Sequence, residues 1–232
     1  MTDTMATRLA ALEQRIARAC ERAGRPAGSV QLLPVSKTFD AEAVRQAAAL
    51  GLRRFGENKT QEIRQKADPL ADLGLSWVMI GHLQTNKAKD VVRDVAEVQS
   101  LDRQELADAL QRRLETAARS LDVLIQVKTS PEPSKFGLPP EALPALLAHL
   151  RRACPALRVQ GLMTMAVNSD DSAAVRACFR RLRELRDRHA TAELPLARLS
   201  MGMSGDFEIA IEEGSTEVRI GSALFGARNY AI

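Results

Sequence analysis

Eight short apolar runs alternate with amphipathic helical stretches along almost the whole chain, and this alternation constrains the fold more than any other feature. The strand-like runs are 30–36, 53–56, 76–81, 97–100, 123–128, 158–163, 198–202 and 217–221. Helical periodicity falls between them, at 41–50, 58–67, 103–117, 143–153, 172–189 and 206–213. Strands separated by helices imply right-handed βαβ crossovers and a parallel sheet. Eight such units in 232 residues are of the size of a closed (β/α)8 barrel. A doubly wound open sheet is the competitor, but it would not ordinarily need eight strands or lack a glycine-rich dinucleotide turn. The prediction is a single α/β domain over 1–232, a (β/α)8 TIM-type barrel over 30–228. An extra N-terminal helix precedes it within 1–28, where Leu9, Leu12, Ile16 and Ala19 repeat at helical spacing and Gly24 and Pro26 stop the helix.

Several classes of function are excluded or disfavoured. No run of eighteen apolar residues occurs and the first residues are unlike a signal peptide, so a cytoplasmic protein with no membrane partner is expected. Cys20, Cys154 and Cys178 are too few and too scattered for a disulfide framework, and with His82, His149 and His189 they show no metal-ligand spacing, so no metal site is predicted. The net charge is +4, but the basic residues are mixed with acids on helical segments and aromatic residues make up only 3%, which argues against nucleic-acid binding.

Barrel enzymes place reacting groups at the C-terminal ends of the strands. Read in order, these ends carry Ser36 and Lys37, Glu57 and Asn58, His82, Ser100, Lys128, Met163 and Thr164, Ser200 to Gly202, and Arg219 to Ser222. They offer no carboxylate pair for glycoside hydrolysis and no catalytic metal set. Only seven of the 33 basic side chains are lysine, and of these only Lys37 and Lys128 terminate apolar strands. A strand-end lysine often reaches water. One held in a partly desolvated pocket loses proton affinity and can condense with an aldehyde. Gly202, Gly205, Gly221 and Ser222 lie after the last two strands, where barrels commonly build a phosphate cradle. Each loop alone is ordinary turn chemistry; the two together with Lys37 point to a phosphate-bearing aldehyde. Arg219 either pairs with Glu217 or Glu213, or faces a ring nitrogen, where a guanidinium would disfavour ring protonation.

Ordered blocks carry a family resemblance: Val35 to Thr38, Phe55 to Asn58, Trp77 to Lys87, Gly161 to Met163, Leu199 to Ser204 and Val218 to Gly226. They resemble the pyridoxal-phosphate homeostasis protein family, single-domain relatives of the N-terminal barrel of alanine racemase, over about Leu32 to Arg228. The resemblance implies pyridoxal 5'-phosphate (PLP) as cofactor, held as an aldimine on Lys37. It places the phosphate at Ser200, Gly221 and Ser222, Arg219 at the pyridine nitrogen, and Asn58, His82 and Met163 along the cavity. The implied function is intracellular vitamin B6 homeostasis, with PLP-dependent apoenzymes as recipients and a monomer or weak homodimer as the state. The alternative is a PLP-dependent racemase or lyase of the same barrel type, whose second base opposite Lys37 would be His82 or Lys128. Alanine racemase takes that base, a tyrosine, from a further domain; the single tyrosine here is Tyr230, so racemase activity is expected to be absent or trace. A barrel aldolase using Lys37 or Lys128 on a sugar phosphate is the third reading.

Overall fold

The structure is a computed structural model describing residues 3–226. The expected C-terminal end of the barrel at Arg228, and Tyr230, lie outside the described residues.

The chain opens with helix α1 (Met5–Arg22), whose N-terminus is closed by reciprocal hydrogen bonds between Thr4 and Thr7. Its buried stripe of Leu9, Leu12, Ile16, Ala19 and Cys20 faces the last two helices of the fold. The strands and six of the remaining helices follow the predicted order, and the helices over Ala88–Asp94 and Ser222–Phe225 are additional. Strand β1 (Gln31–Pro34), α2 (Ala41–Ala49), β2 (Arg54–Glu57), α3 (Thr60–Ala67), β3 (Ser76–Met79), α4 (Ala88–Asp94), β4 (Glu97–Leu101) and α5 (Gln104–Thr116) form the first half. The second half comprises β5 (Leu121–Gln126), α6 (Leu143–Ala153), β6 (Leu157–Met163), α7 (Ser172–His189), β7 (Arg198–Ser200), α8 (Phe207–Glu212), β8 (Glu217–Ile220) and α9 (Ser222–Phe225).

All strand pairings are parallel, in the spatial order β1-β8-β7-β6-β5-β4-β3-β2. The two ends of that order meet through a single bridge, Val35 to Gly56, supported by the Ser36 N–H donating to the Gly56 carbonyl at 3.1 Å. The fold is therefore a nearly closed (β/α)8 barrel whose seam lies between β1 and β2. Helix stripes of Leu, Val and Ala pack on its outside, as with Leu106, Leu110 and Leu114 of α5 and Leu143, Leu146 and Leu150 of α6. Among the described residues no helix is long and apolar enough to cross a membrane.

Part of the barrel interior is polar. Glu97 and Glu217 are buried side by side and share two arginines. Arg54 donates to Glu97 and Glu217, each at 2.9 Å, and Arg198 donates to Glu97 at 2.8 and 3.0 Å and to Glu217 at 2.9 Å. Burial works to raise the Glu217 pKa, but Arg198 and Arg54 outweigh it and hold the carboxyl below its usual range. Gln99 joins both acids to Ser200.

Candidate functional site

A cavity of about 410 Å³ opens where the strands end. That volume lies in the range of small-molecule sites. It is lined by Lys37, Asn58, His82, Met163, Arg219, Gly221 and Ser222, seven of the eight residues expected from sequence. The eighth, Ser200, is fully buried at the end of β7 and does not line it. Its hydroxyl lies 2.7 Å from Gln99 Oε1 and 3.0 Å from Glu217 Oε1, and accepts from Arg219 at 2.8 Å. Ser200 thus connects the polar interior to the cavity arginine, and Ser204 supplies the hydroxyl at the cavity wall.

Lys37 is half-buried and follows the end of β1, two residues beyond Val35 at the barrel seam. Asn58 is brought to the cavity by a close crossing of two strand ends: a Cβ on Gly81 would collide with the Asn58 backbone, so only glycine fits there. On the other side, Gly202 has φ 98°, and a Cβ there would come 2.7 Å from Ala210 Cβ and 2.9 Å from Phe207 Cα. This turn lets Gly202 O accept from Arg219 N at 2.9 Å, while Asp206 Oδ1 accepts from Met203 N at 2.6 Å. The loops after β7 and β8 meet at the cavity, with the hydroxyls of Ser204 and Ser222 3.4 Å apart. Gly205 and Gly221 leave the wall between them open to close approach.

Arg219 does not pair with Glu213 or Glu217. Glu217 is occupied by Arg54 and Arg198, and Glu213 by Arg176, Arg180 and Arg183. Its guanidinium instead donates to Ser200 Oγ and, at 2.7 Å, to the Thr164 carbonyl. Burial lowers its pKa to about 10 against the opposing pull of Glu217 and Asp206, so it remains cationic at neutral pH.

Of the outer wall, His82 was expected from the sequence and Phe136 was not. His82 stacks on Phe136 with ring centroids 4.0 Å apart and planes 17° apart, and its Nδ1 lies 3.4 Å from Asp102. Phe136 is 53% exposed yet lines the cavity, and its carbonyl accepts from Gln126 Nε2 at 3.0 Å. An exposed aromatic in a proline-rich loop was the available signal. Lys128 takes no part in the wall: β5 ends at Gln126, and Lys128 Nζ donates to the Pro133 carbonyl at 3.4 Å.

Away from the cavity, Asp108, His149 and Cys154 converge, a grouping that sequence spacing does not announce. Asp108 Oδ1 lies 2.7 Å from His149 Nε2 and accepts from the Cys154 thiol at 3.8 Å. Burial, aided by Asp108, pushes the thiol pKa up to about 11. These contacts tie α5 to the C-terminal end of α6.

The barrel and its lysine-bearing mouth define a class, and comparison with known proteins agrees. The model of the alanine racemase N-terminal domain matches residues 7–229. Pyridoxal phosphate homeostasis proteins of Aquifex aeolicus and Pseudomonas aeruginosa are 46% and 47% identical to the chain; the alignments cover 96% and 98% of it, and 98% and 97% of the relatives. The chain belongs to the pyridoxal phosphate homeostasis protein family, within the alanine racemase N-terminal domain class. A solved structure of PipY from Synechococcus elongatus with PLP bound superposes with a TM-score of 0.83 at 38% identity, covering 96% of this chain and all of that one. An alanine racemase of Clostridium difficile, at 14% identity and TM-score 0.73, shares the fold; 58% of its chain is covered.

Proposed function

We propose that this chain binds PLP in the cavity at the strand ends and holds it in reserve for vitamin B6 homeostasis, with Lys37 as the point of covalent attachment. The observation that carries the reading is the convergence on one cavity of a strand-end lysine, two glycine-serine loops and a buried arginine. PLP needs an amine, an anion cradle and an environment for its ring nitrogen, and the lining residues match each need.

When bound, PLP supplies an aldehyde carbon that condenses with a primary amine, the carbonyl oxygen leaving as water. The chain's own groups prepare for this. Lys37 presents its amine, the nucleophile this condensation needs, to a cavity whose wall includes Val35, Ile80 and Met163. Ser204 and Ser222 offer hydroxyl donors to a phosphate, and Gly205 and Gly221 permit close backbone approach. Arg219, held in place by Ser200 and Thr164, would hold the ring nitrogen of the bound cofactor with a cation and disfavour its protonation. A ring without that proton is a poor electron sink, which suits storage better than carbanion chemistry. His82 is the titratable candidate for a second base in the described wall; PLP-dependent apoenzymes would be the recipients, and a monomer or weak homodimer remains the proposed state.

The test is borohydride reduction of purified protein incubated with PLP, followed by peptide mass spectrometry. A pyridoxyl adduct on Lys37 is expected. An adduct on Lys128 or Lys135 alone, or a sugar-derived adduct, would overturn the assignment.

A further inference from the structure

The barrel's backbone ladder is thin at the seam just ahead of Lys37. Between β1 and β2 a single bridge, Val35 to Gly56, closes the sheet. Three residues later Thr38 has φ 70°, a left-handed conformation that a β-branched side chain adopts only when its surroundings force it. A lysine on such a segment would be poorly fixed by main-chain pairing alone.

Three charged side chains from the end of β2 and from α3 supply what the ladder lacks. Lys66, only 5% exposed, donates to the Ser36 carbonyl at 2.8 Å and to Glu57 Oε1 at 2.6 Å. Ser36 Oγ donates to the same Glu57 oxygen at 2.6 Å. Glu62 Oε2 lies 3.7 Å from Lys66 Nζ and accepts from the Thr38 N–H at 2.8 Å. The residue before Lys37 is thus held through its carbonyl and hydroxyl, and the residue after it through its amide. Burying Lys66 and Glu57 is costly unless their bonds are nearly complete, and Glu57 Oε2 has no hydrogen-bond partner. A buried ion pair placed only for stability would be a poor device here; one placed to fix a reactive segment has a reason to be retained.

We propose that Lys66, Glu57 and Glu62 form a positioning clamp that brackets Lys37 and aims its amine at the aldehyde of the bound cofactor, an inference that rests on the reading of Lys37 given above. None of the three lines the cavity, so they act through the backbone of residues 36–38 and not on the ligand.

A clamp on the amine affects only ligands that bond to it. The test therefore compares PLP with 4-deoxypyridoxine 5'-phosphate, which offers a similar ring and phosphate but no aldehyde. Glu62→Ala removes the Thr38 contact from a side chain that is 20% exposed, so the fold should survive. Its affinity for PLP should fall about tenfold, the size of one charge-assisted hydrogen bond, while its affinity for the deoxy analogue stays that of the wild type. Lys66→Met should show the same selective loss more strongly and Lys66→Arg should recover part of it; if Lys66→Met does not fold, Glu62→Ala still decides. Equal weakening of both ligands, or of neither, would overturn the clamp. Failure of the wild type to form a borohydride-stable adduct at Lys37 would instead overturn the underlying reading, so the two failures are distinguishable.

Discussion

Replacing Arg198 with Met probes the polar interior on which the cavity arginine rests. Arg198 makes three hydrogen bonds to the buried pair Glu97 and Glu217, at 2.8, 3.0 and 2.9 Å, and its removal leaves both carboxylates to Arg54. Breaking a buried ion pair by deleting one partner costs roughly 3–5 kcal/mol. Arg198 is 23% exposed and water can relieve part of that, so about 3 kcal/mol is the expected loss. For a chain of this length that corresponds to a fall in melting temperature of about 6–12 °C at neutral pH. The pH dependence adds a sign. Glu217 is held below its ordinary value of 4.5, so its contribution is fully present above that value and disappears as pH falls through the depressed folded pKa. Without Arg198 the depression shrinks, so the gap between variant and wild type should be widest near pH 7 and close on acidification. Thermal melts followed by circular dichroism between pH 7 and pH 4 read both effects. A variant that melts with the wild type at pH 7, or a gap that widens in acid, would refute the reasoning.

Three further outcomes follow from the cavity wall. Gly81→Ala should displace Asn58, because the added methyl would collide with the Asn58 backbone; PLP titration should show at least a tenfold weaker site, as expected from a cost above about 1.4 kcal/mol, and wild-type affinity would contradict the close crossing. Phe136→Ala removes the ring stacked on His82, an interaction of about 0.5–1.5 kcal/mol, and should speed PLP release about two- to tenfold with little change in melting temperature; an unchanged release rate in stopped-flow would count against an outer wall at Phe136. Highly purified protein loaded with PLP should not interconvert L- and D-alanine, and steady turnover in a chiral assay would favour the racemase alternative.

The strands were legible because a parallel strand covered on its outer face reads as a short apolar run, and each observed strand falls on one of the eight expected. Their ends were less so. The apolar run of the fifth continues through Val127, but the chain leaves the β6 ladder after Gln126 and Val127 bridges to Leu138, which turns Lys128 away from the mouth. Lys37, Arg219, Gly221 and Ser222 could be singled out because strand ends share one face, whereas Asn58, His82 and Met163 were picked from among the strand-end residues by the family resemblance. Ser200 and Ser204 show the limit: β7 has only three residues, and the turn at Gly202 decides which serine reaches the cavity. The Glu97, Glu217, Arg54 and Arg198 cluster was invisible because its members come from four strands, and residue periodicity does not reveal which side chains meet across a barrel. The Lys66 clamp was hidden for a related reason, since a lysine on an amphipathic helix is ordinarily solvated and only the closing of the seam buries this one.

The covalent link at Lys37 is tested most directly by the absorbance spectrum of wild-type protein and Lys37→Ala after incubation with PLP and removal of free ligand. The wild type should keep a near-visible band that borohydride abolishes, and the variant should lack it. A colourless wild type, or the same band in the variant, would contradict the account.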